Sequence, residues 1–169
     1  RVQLYTVPGQ TKYAETRRRV LAGADGVVMV LDSQAGALDR NRQSVTDLFE
    51  HMKANRLDPK RVPIIVQLNK RDLPTAMEPK DLLDAVGLGD HPHHEAVAFE
   101  GKNVFETLRL TIKHVLGAMQ ESARAPGGIA SGEASHMDGH TLRAALEKGE
   151  SAPPPAAGEE KAVAAPEPA

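Results

Sequence analysis

The chain has 169 residues, 40% of them apolar and 26% charged, with a formal net charge of −2 at pH 7, which suits one domain of ordinary size with at most a tail. It contains no cysteine, which excludes disulfides, zinc–thiolate sites, iron–sulfur clusters and thiol nucleophiles among these residues and predicts a cytoplasmic setting. Aromatic residues make up only 3%, so neither a base-stacking platform nor a strong field for polyanions is on offer and nucleic acid is not an expected partner. The runs GVVMVL and VPIIV are far shorter than the roughly 18 to 20 residues of a membrane helix, so no transmembrane segment is expected.

In chain order, RVQLYTV reads as a first strand, beginning at Arg1 rather than at a methionine. A helix is predicted from about Thr11 to Ala22. The runs GVVMVLD and VPIIVQLN follow as strands that are apolar almost throughout, the pattern of parallel strands covered on both faces. Helices are predicted from Asn41 to Asn55 and from Lys80 to Val86, with HEAVAF as a fourth strand. A last helix spans Val104 to Met119, where Val104, Leu108, Thr111, Ile112, Val115 and Leu116 form one stripe at three- and four-residue steps. The fold class is α/β, a mostly parallel sheet with flanking helices, and in such sheets ligands sit beyond the carboxyl ends of the strands.

The composition breaks near Gln120. Residues 121–169 carry 4 basic and 8 acidic side chains and six of the twelve prolines, against 17 basic and 15 acidic residues in 1–120. The expected organisation is therefore a folded part, 1–120, and a disordered acidic tail, 121–169, rich in Ala, Pro and Gly. A short helix over Thr141 to Lys148 is expected in that tail. A linker to a further domain would read the same way.

Three strand ends carry chemistry. Thr6-Val7-Pro8-Gly9-Gln10 pairs a fixed φ at Pro8 with a free one at Gly9, giving either a plain turn or a turn that exposes a backbone N–H and a primary amide. Asn69-Lys70-Arg71-Asp72-Leu73-Pro74 reads either as a polar cap opening a turn or as a base-recognition loop. In the second reading a carboxylate accepts two neighbouring donors of a guanine edge and a lysine stem lies along the ring. Val97-Ala98 precedes Phe99-Glu100-Gly101, a loop whose backbone N–H groups can approach a ligand oxygen. Asp32-Ser33-Gln34 is expected to cap the helix that follows it. His91, His93 and His94 sit in a proline-containing loop without ligand spacing, so no metal site is assigned. Lys12, Arg17, Arg18 and Arg19 crowd one helix, as a solvated face or as a partner surface.

Taken jointly, LYTVPGQ, ADGVVMVLDSQ, QLNKRDLP and EAVAFEGKNVFETL resemble the Ras-like small GTPases in order and spacing, and most closely their bacterial gliding-motility, MglA-type branch, over essentially all of residues 1–120. The resemblance implies that Gly9 meets the γ-phosphate and Gln10 orients the attacking water. It implies that Asn69 and Asp72 read guanine, that Lys70 stacks on it, and that Val97 and Ala98 form the loop whose Ala98 N–H reaches the guanine O6. Arg71 is then solvent-facing filler. Thr6 stands where most small GTPases carry an aspartate near Mg²⁺, a departure shared with the gliding branch. The implied ligands are GTP or GDP with Mg²⁺, and the implied partners are a roadblock-type homodimeric activating protein and polarity effectors.

Nowhere do the 169 residues contain G-x-x-x-x-G-K-[ST], the loop that cradles phosphates and gives Mg²⁺ a hydroxyl. In the family that loop follows the first strand. The expectation is therefore an N-terminally truncated GTP-hydrolysing polarity or motility switch, lacking its first two strands and most Mg²⁺ ligands. Such a fragment would be inactive by itself and prone to associate. The alternative is a GTPase-derived scaffold or binding module that does not hydrolyse GTP.

Overall fold

A computed structural model of the chain describes residues 1–7 and 13–124. Pro8 to Lys12, the predicted helix at Thr141 to Lys148 and the rest of 125–169 lie outside the described residues. From the amino end, helix α1 (Ala14–Leu21) leads to strand β1 (Val27–Asp32), helix α2 (Leu38–Ala54), strand β2 (Ile64–Asn69), helix α3 (Pro79–Val86), strand β3 (His93–Glu95) and helix α4 (Val104–Arg124). Short 3₁₀ turns at Ala35–Ala37 and Ala98–Glu100 follow the ends of β1 and β3.

The three strands form one parallel sheet in the order β1-β2-β3. Pairing begins where the Val27 N–H donates to the Pro63 carbonyl at 2.9 Å, and the register sets Val27 against Ile64 and Asp32 against Asn69. β2 is the central strand, and its residues Ile64 to Leu68 are all buried, as its unbroken apolar run requires. One face, formed by Leu31, Val66 and Leu68, packs on Val45 of α2 and on Leu82, Leu83 and Val86 of α3. A neighbouring cluster joins Leu48 and Met52 of α2 to Ile64, with Leu21 of α1 against it. Helix α4 packs on the other side, against β2 and β3. There Val30 of β1 stays 51% exposed.

Helix limits follow local chemistry. Pro79 occupies the first turn of α3, where a missing N–H costs nothing. Gly87 ends that helix at φ +76°, the left-handed conformation that glycine adopts without a Cβ penalty. Helix α4 runs on to Arg124, beyond the Met119 limit expected from its apolar stripe, because Glu121 to Arg124 include no glycine or proline.

Two strand expectations are corrected. Residues 1–7 form no strand, and Val2, Leu4 and Tyr5 stand exposed. Their alternation is a real strand pattern, but a strand is held by hydrogen bonds to a neighbour, and residues 1–7 pair with no strand among the described residues. Of HEAVAF only His94 and Glu95 lie in β3, which begins one residue earlier, at His93. The Ala96 N–H still reaches the Leu68 carbonyl at 2.7 Å, after which Val97 turns to pair with Lys102.

The crossing of α4 over the start of β1 depends on Gly26, where an added Cβ would come within 2.5 Å of Val115 Cγ2. Valine in a helix has little rotamer freedom with which to yield. Gly26→Ala is expected to destabilise the chain by about 1 to 3 kcal/mol, seen as a lower urea midpoint with an unchanged slope.

Candidate functional site

The carboxyl ends of β1 and β2 lie side by side because the register pairs Asp32 with Asn69. Beyond them the chain leaves each strand through a polar turn, and these turns are tied to one another.

Asn69 accepts the Ala98 N–H through Oδ1 at 2.9 Å, so the loop after β2 is fastened to the loop after β3. This N–H, expected as a donor to a ligand oxygen, is thus engaged within the chain. Val97 beside it is buried, whereas Phe99 is fully exposed. Asn103 reaches back through Nδ2 to the Glu95 carbonyl at 2.9 Å and closes the second loop from its far side.

Arg71 corrects the expectation of a solvent-facing filler. Its side chain is only 17% exposed, its Nε donates to Glu95 Oε2 at 2.7 Å, and its Nη1 donates to the Met77 carbonyl. The guanidinium therefore links the turn after β2 to β3 and to the segment that enters α3. Asp72, next in sequence, is exposed.

Lys70 has φ +63°, a left-handed conformation uncommon for a residue with a Cβ and worth tracing to its cause. Its Nζ donates to Asp32 Oδ2 at 2.8 Å. The expected helix cap is corrected here as well. Neither the 3₁₀ turn at Ala35 nor α2 receives a side-chain cap bond. The Asp32 Oδ1 instead accepts the Gln34 backbone N–H at 3.1 Å and Gln34 Nε2 at 3.2 Å, while Oδ2, which faces Lys70, also lies 3.3 Å from Gln34 Nε2. Partial burial pushes the Asp32 carboxyl up, but the Lys70 ammonium and the Gln34 bonds outweigh it and hold the group below its ordinary range.

Sequence reasoning missed the residue that fixes Asp32. Asn41 of α2 is buried, donates through Nδ2 to the Asp32 carbonyl at 2.8 Å and accepts the Asp32 N–H through Oδ1 at 3.2 Å. The signal was present: Asn41 stands in line with Val45, Leu48 and Met52 on the buried face of α2, and a polar side chain in a core stripe needs a partner. Ser33 further joins the strand ends, its N–H donating to the Asn69 carbonyl at 3.0 Å and its carbonyl accepting the Met77 N–H at 2.8 Å.

Gly9, Gln10 and Lys12 lie outside the described residues, and Thr6 is exposed in the unpaired amino-terminal segment. Arg17 is paired with Asp47 of α2 at 3.2 Å, while Arg18 and Arg19 both reach Glu15. Successive residues His93 and His94 lie on β3, where side chains alternate between faces. Among the described residues no group of three or more His, Cys, Asp or Glu could hold a metal ion. Among them, too, no helix is long and apolar enough to cross a membrane.

Residues 1–123 match the elongation factor Tu GTP-binding domain. The chain belongs to that GTP-binding family. It is 38% identical over 121 residues to the mutual gliding-motility protein MglA of Myxococcus xanthus (strain DK1622), a match that covers 72% of this chain and 62% of that protein. It is 36% identical over 95 residues to peptide chain release factor 3 of Microcystis aeruginosa, covering 54% of this chain and 16% of that one. The chain thus spans less than two thirds of the length of either relative. The GTP-binding family and the likeness to MglA agree with the motif order.

The Asp32–Lys70 pair has a pH signature. A carboxyl held low in the folded state contributes stability above its unfolded value and loses that contribution as pH falls through the folded value. The melting temperature of Asp32→Asn is therefore expected to lie below that of the unsubstituted chain at neutral pH, with the gap closing in acid. A pH series of thermal melts checks this.

Proposed function

We propose that residues 1–124 supply the base-recognising loops and second switch of a GTP-binding, GTP-hydrolysing molecular switch that acts in gliding motility or cell polarity. The observation that carries this reading is the Asn69 Oδ1 to Ala98 N–H bond, which fastens the NKRD turn to the VAF turn at the carboxyl ends of the strands. An asparagine that accepts through Oδ1 keeps two Nδ2 donors for a ligand. Asp72 is exposed, and as a carboxylate it matches the paired N1–H and N2–H donors of guanine, in the manner of a charge-assisted fork. Lys70 lays its methylenes along the ring. Val97 and Ala98 line the O6 edge, with the Ala98 N–H shared between Asn69 and the base as a three-centre bond.

In this reading Gly9 meets the γ-phosphate through its N–H and Gln10 orients the attacking water. Both assignments rest on the resemblance of PGQ, in its order before NKRD, to the second switch of small GTPases. The similarity to a gliding-motility protein supports the cellular role. A roadblock-type homodimeric activating protein and polarity effectors are the proposed partners, and the cytoplasm is the proposed setting.

A second reading is a GTPase-derived scaffold or binding module that does not hydrolyse GTP. The two differ in whether GTP is hydrolysed. Single-turnover hydrolysis of GTP by the protein that carries these residues separates them, with measurable turnover expected for the switch and none for the module.

Asp72→Asn is expected to weaken guanine nucleotide binding by about 1.5 to 3 kcal/mol, the worth of a charge-assisted pair. It is also expected to shift preference toward xanthine, whose extra carbonyl suits the new amide donor. Competitive titration with both nucleotides reads this, and unchanged guanine affinity would remove Asp72 from the site. Gln10→Leu is expected to leave GTP binding intact and slow hydrolysis, because the amide acts on water in the transition state and adds little to ground-state binding. Unaltered single-turnover rates in that variant would assign the water to another residue.

A further inference from the structure

We infer that Asp32 is a positioning residue for Lys70, tethering its ammonium so that the lysine stem stands as a preformed wall along one face of the guanine base. The inference rests on the base-recognising role proposed for Lys70 and adds a residue from a different strand to it.

The geometry supports a tether and not a casual surface pair. The Asp32 backbone is held at both its N–H and its carbonyl by buried Asn41, and the register fixes it opposite Asn69, the neighbour of Lys70. Gln34 holds the carboxylate plane, its backbone N–H and Nε2 reaching Oδ1 and its Nε2 also lying 3.3 Å from Oδ2, and Oδ2 makes the shorter, 2.8 Å bond to Lys70 Nζ. The other cation near that oxygen, Arg40, lies at 3.9 Å and is largely exposed. The acceptor is thus fixed from three sides while the donor is a 46% exposed lysine.

Lysine has among the largest rotamer freedoms of any side chain, and a freely moving stem must be ordered each time a ligand binds. Tethering its far end before binding removes that cost from the binding step. The left-handed backbone at Lys70, φ +63°, fits the same purpose by turning the residue back toward β1 as the chain leaves β2.

The test uses the full 169-residue chain and GMP, with inosine monophosphate as a probe that lacks the guanine N2 amine. Dissociation constants come from nuclear magnetic resonance titration of the Ala98 amide. Asp32→Asn, which keeps the shape and the Gln34 contact but removes the charge, is expected to weaken both nucleotides by the same factor, about five- to tenfold. Lys70→Met keeps an apolar stem without the ammonium, changes only an exposed position, and is expected to lose a similar factor. Asp32→Asn combined with Lys70→Ala should bind no more weakly than Lys70→Ala alone, since the tether has then nothing to hold.

If Asp32→Asn or Lys70→Met binds GMP like the unsubstituted chain, the tether is refuted while base recognition stands. If the losses from Asp32→Asn and Lys70→Ala add, Asp32 acts through the fold and not through Lys70, which also refutes it. Failure of the unsubstituted chain to bind GMP overturns the base-recognising reading and the tether together. Should Asp32→Asn fail to fold, the Lys70→Met titration decides by itself.

Discussion

Asn41 donates and accepts at the same peptide segment, holding the N–H and the carbonyl of Asp32 with one side chain. This is a buried amide meeting the last residue of a strand, where the ladder to β2 ends and the chain must begin to turn. An unpaired N–H or carbonyl there would cost about 1 to 3 kcal/mol once away from water. Satisfying both from α2 lets β1 stop at Asp32 without fraying, and it fixes how far α2 stands from the sheet. The Ala35–Ala37 turn, the approach of Met77 to Ser33 and the pairing of Asp32 with Asn69 all start from that fixed point.

From there the polar contacts run sideways across the strand ends. Asp32 holds Lys70, Asn69 holds the Ala98 N–H, and Arg71 spans from the turn to Glu95 and Met77. Each of the three successive residues Asn69, Lys70 and Arg71 makes a tie to a different segment. A turn with that many anchors can present Asp72 to solvent at a defined position without using Asp72 itself in the scaffold. The division has a physical logic: groups that must meet a ligand are costly to commit internally, and neighbours with long side chains supply the stiffness instead.

Much of the sheet was legible in the sequence. GVVMVLD and VPIIVQLN are β-branched and apolar without alternation, and they became β1 and central β2 with their polar residues at the carboxyl ends. The helices α2 and α3 began within a few residues of their predicted starts because Pro79 and the 3.6-residue apolar stripe are local signals. RVQLYTV misled because alternation reports a strand's faces and says nothing about whether a neighbour exists to pair with it. Among candidate site residues, Asn69, Lys70 and Asp72 were legible as a motif, yet their partners were not. Asp32 looked like a helix cap because a carboxylate after a strand often is one. Arg71 looked dispensable because the second element it bridges, β3, lies 24 residues away. Such long-range ties leave no periodicity in the chain.

The left-handed backbone of Lys70 has a consequence for attempts to improve the protein. A side chain at φ +63° carries a penalty of about 1 to 2 kcal/mol that glycine would not carry. Substitutions chosen for thermal robustness alone will therefore favour glycine or asparagine at this position, and a screen scored on melting temperature would report success. The gain would come from relief of that Cβ penalty, at the loss of the stem and of the ammonium bond to Asp32. Under the role proposed for Lys70, robustness and ligand handling pull in opposite directions at position 70, and a library built on this chain should hold it fixed.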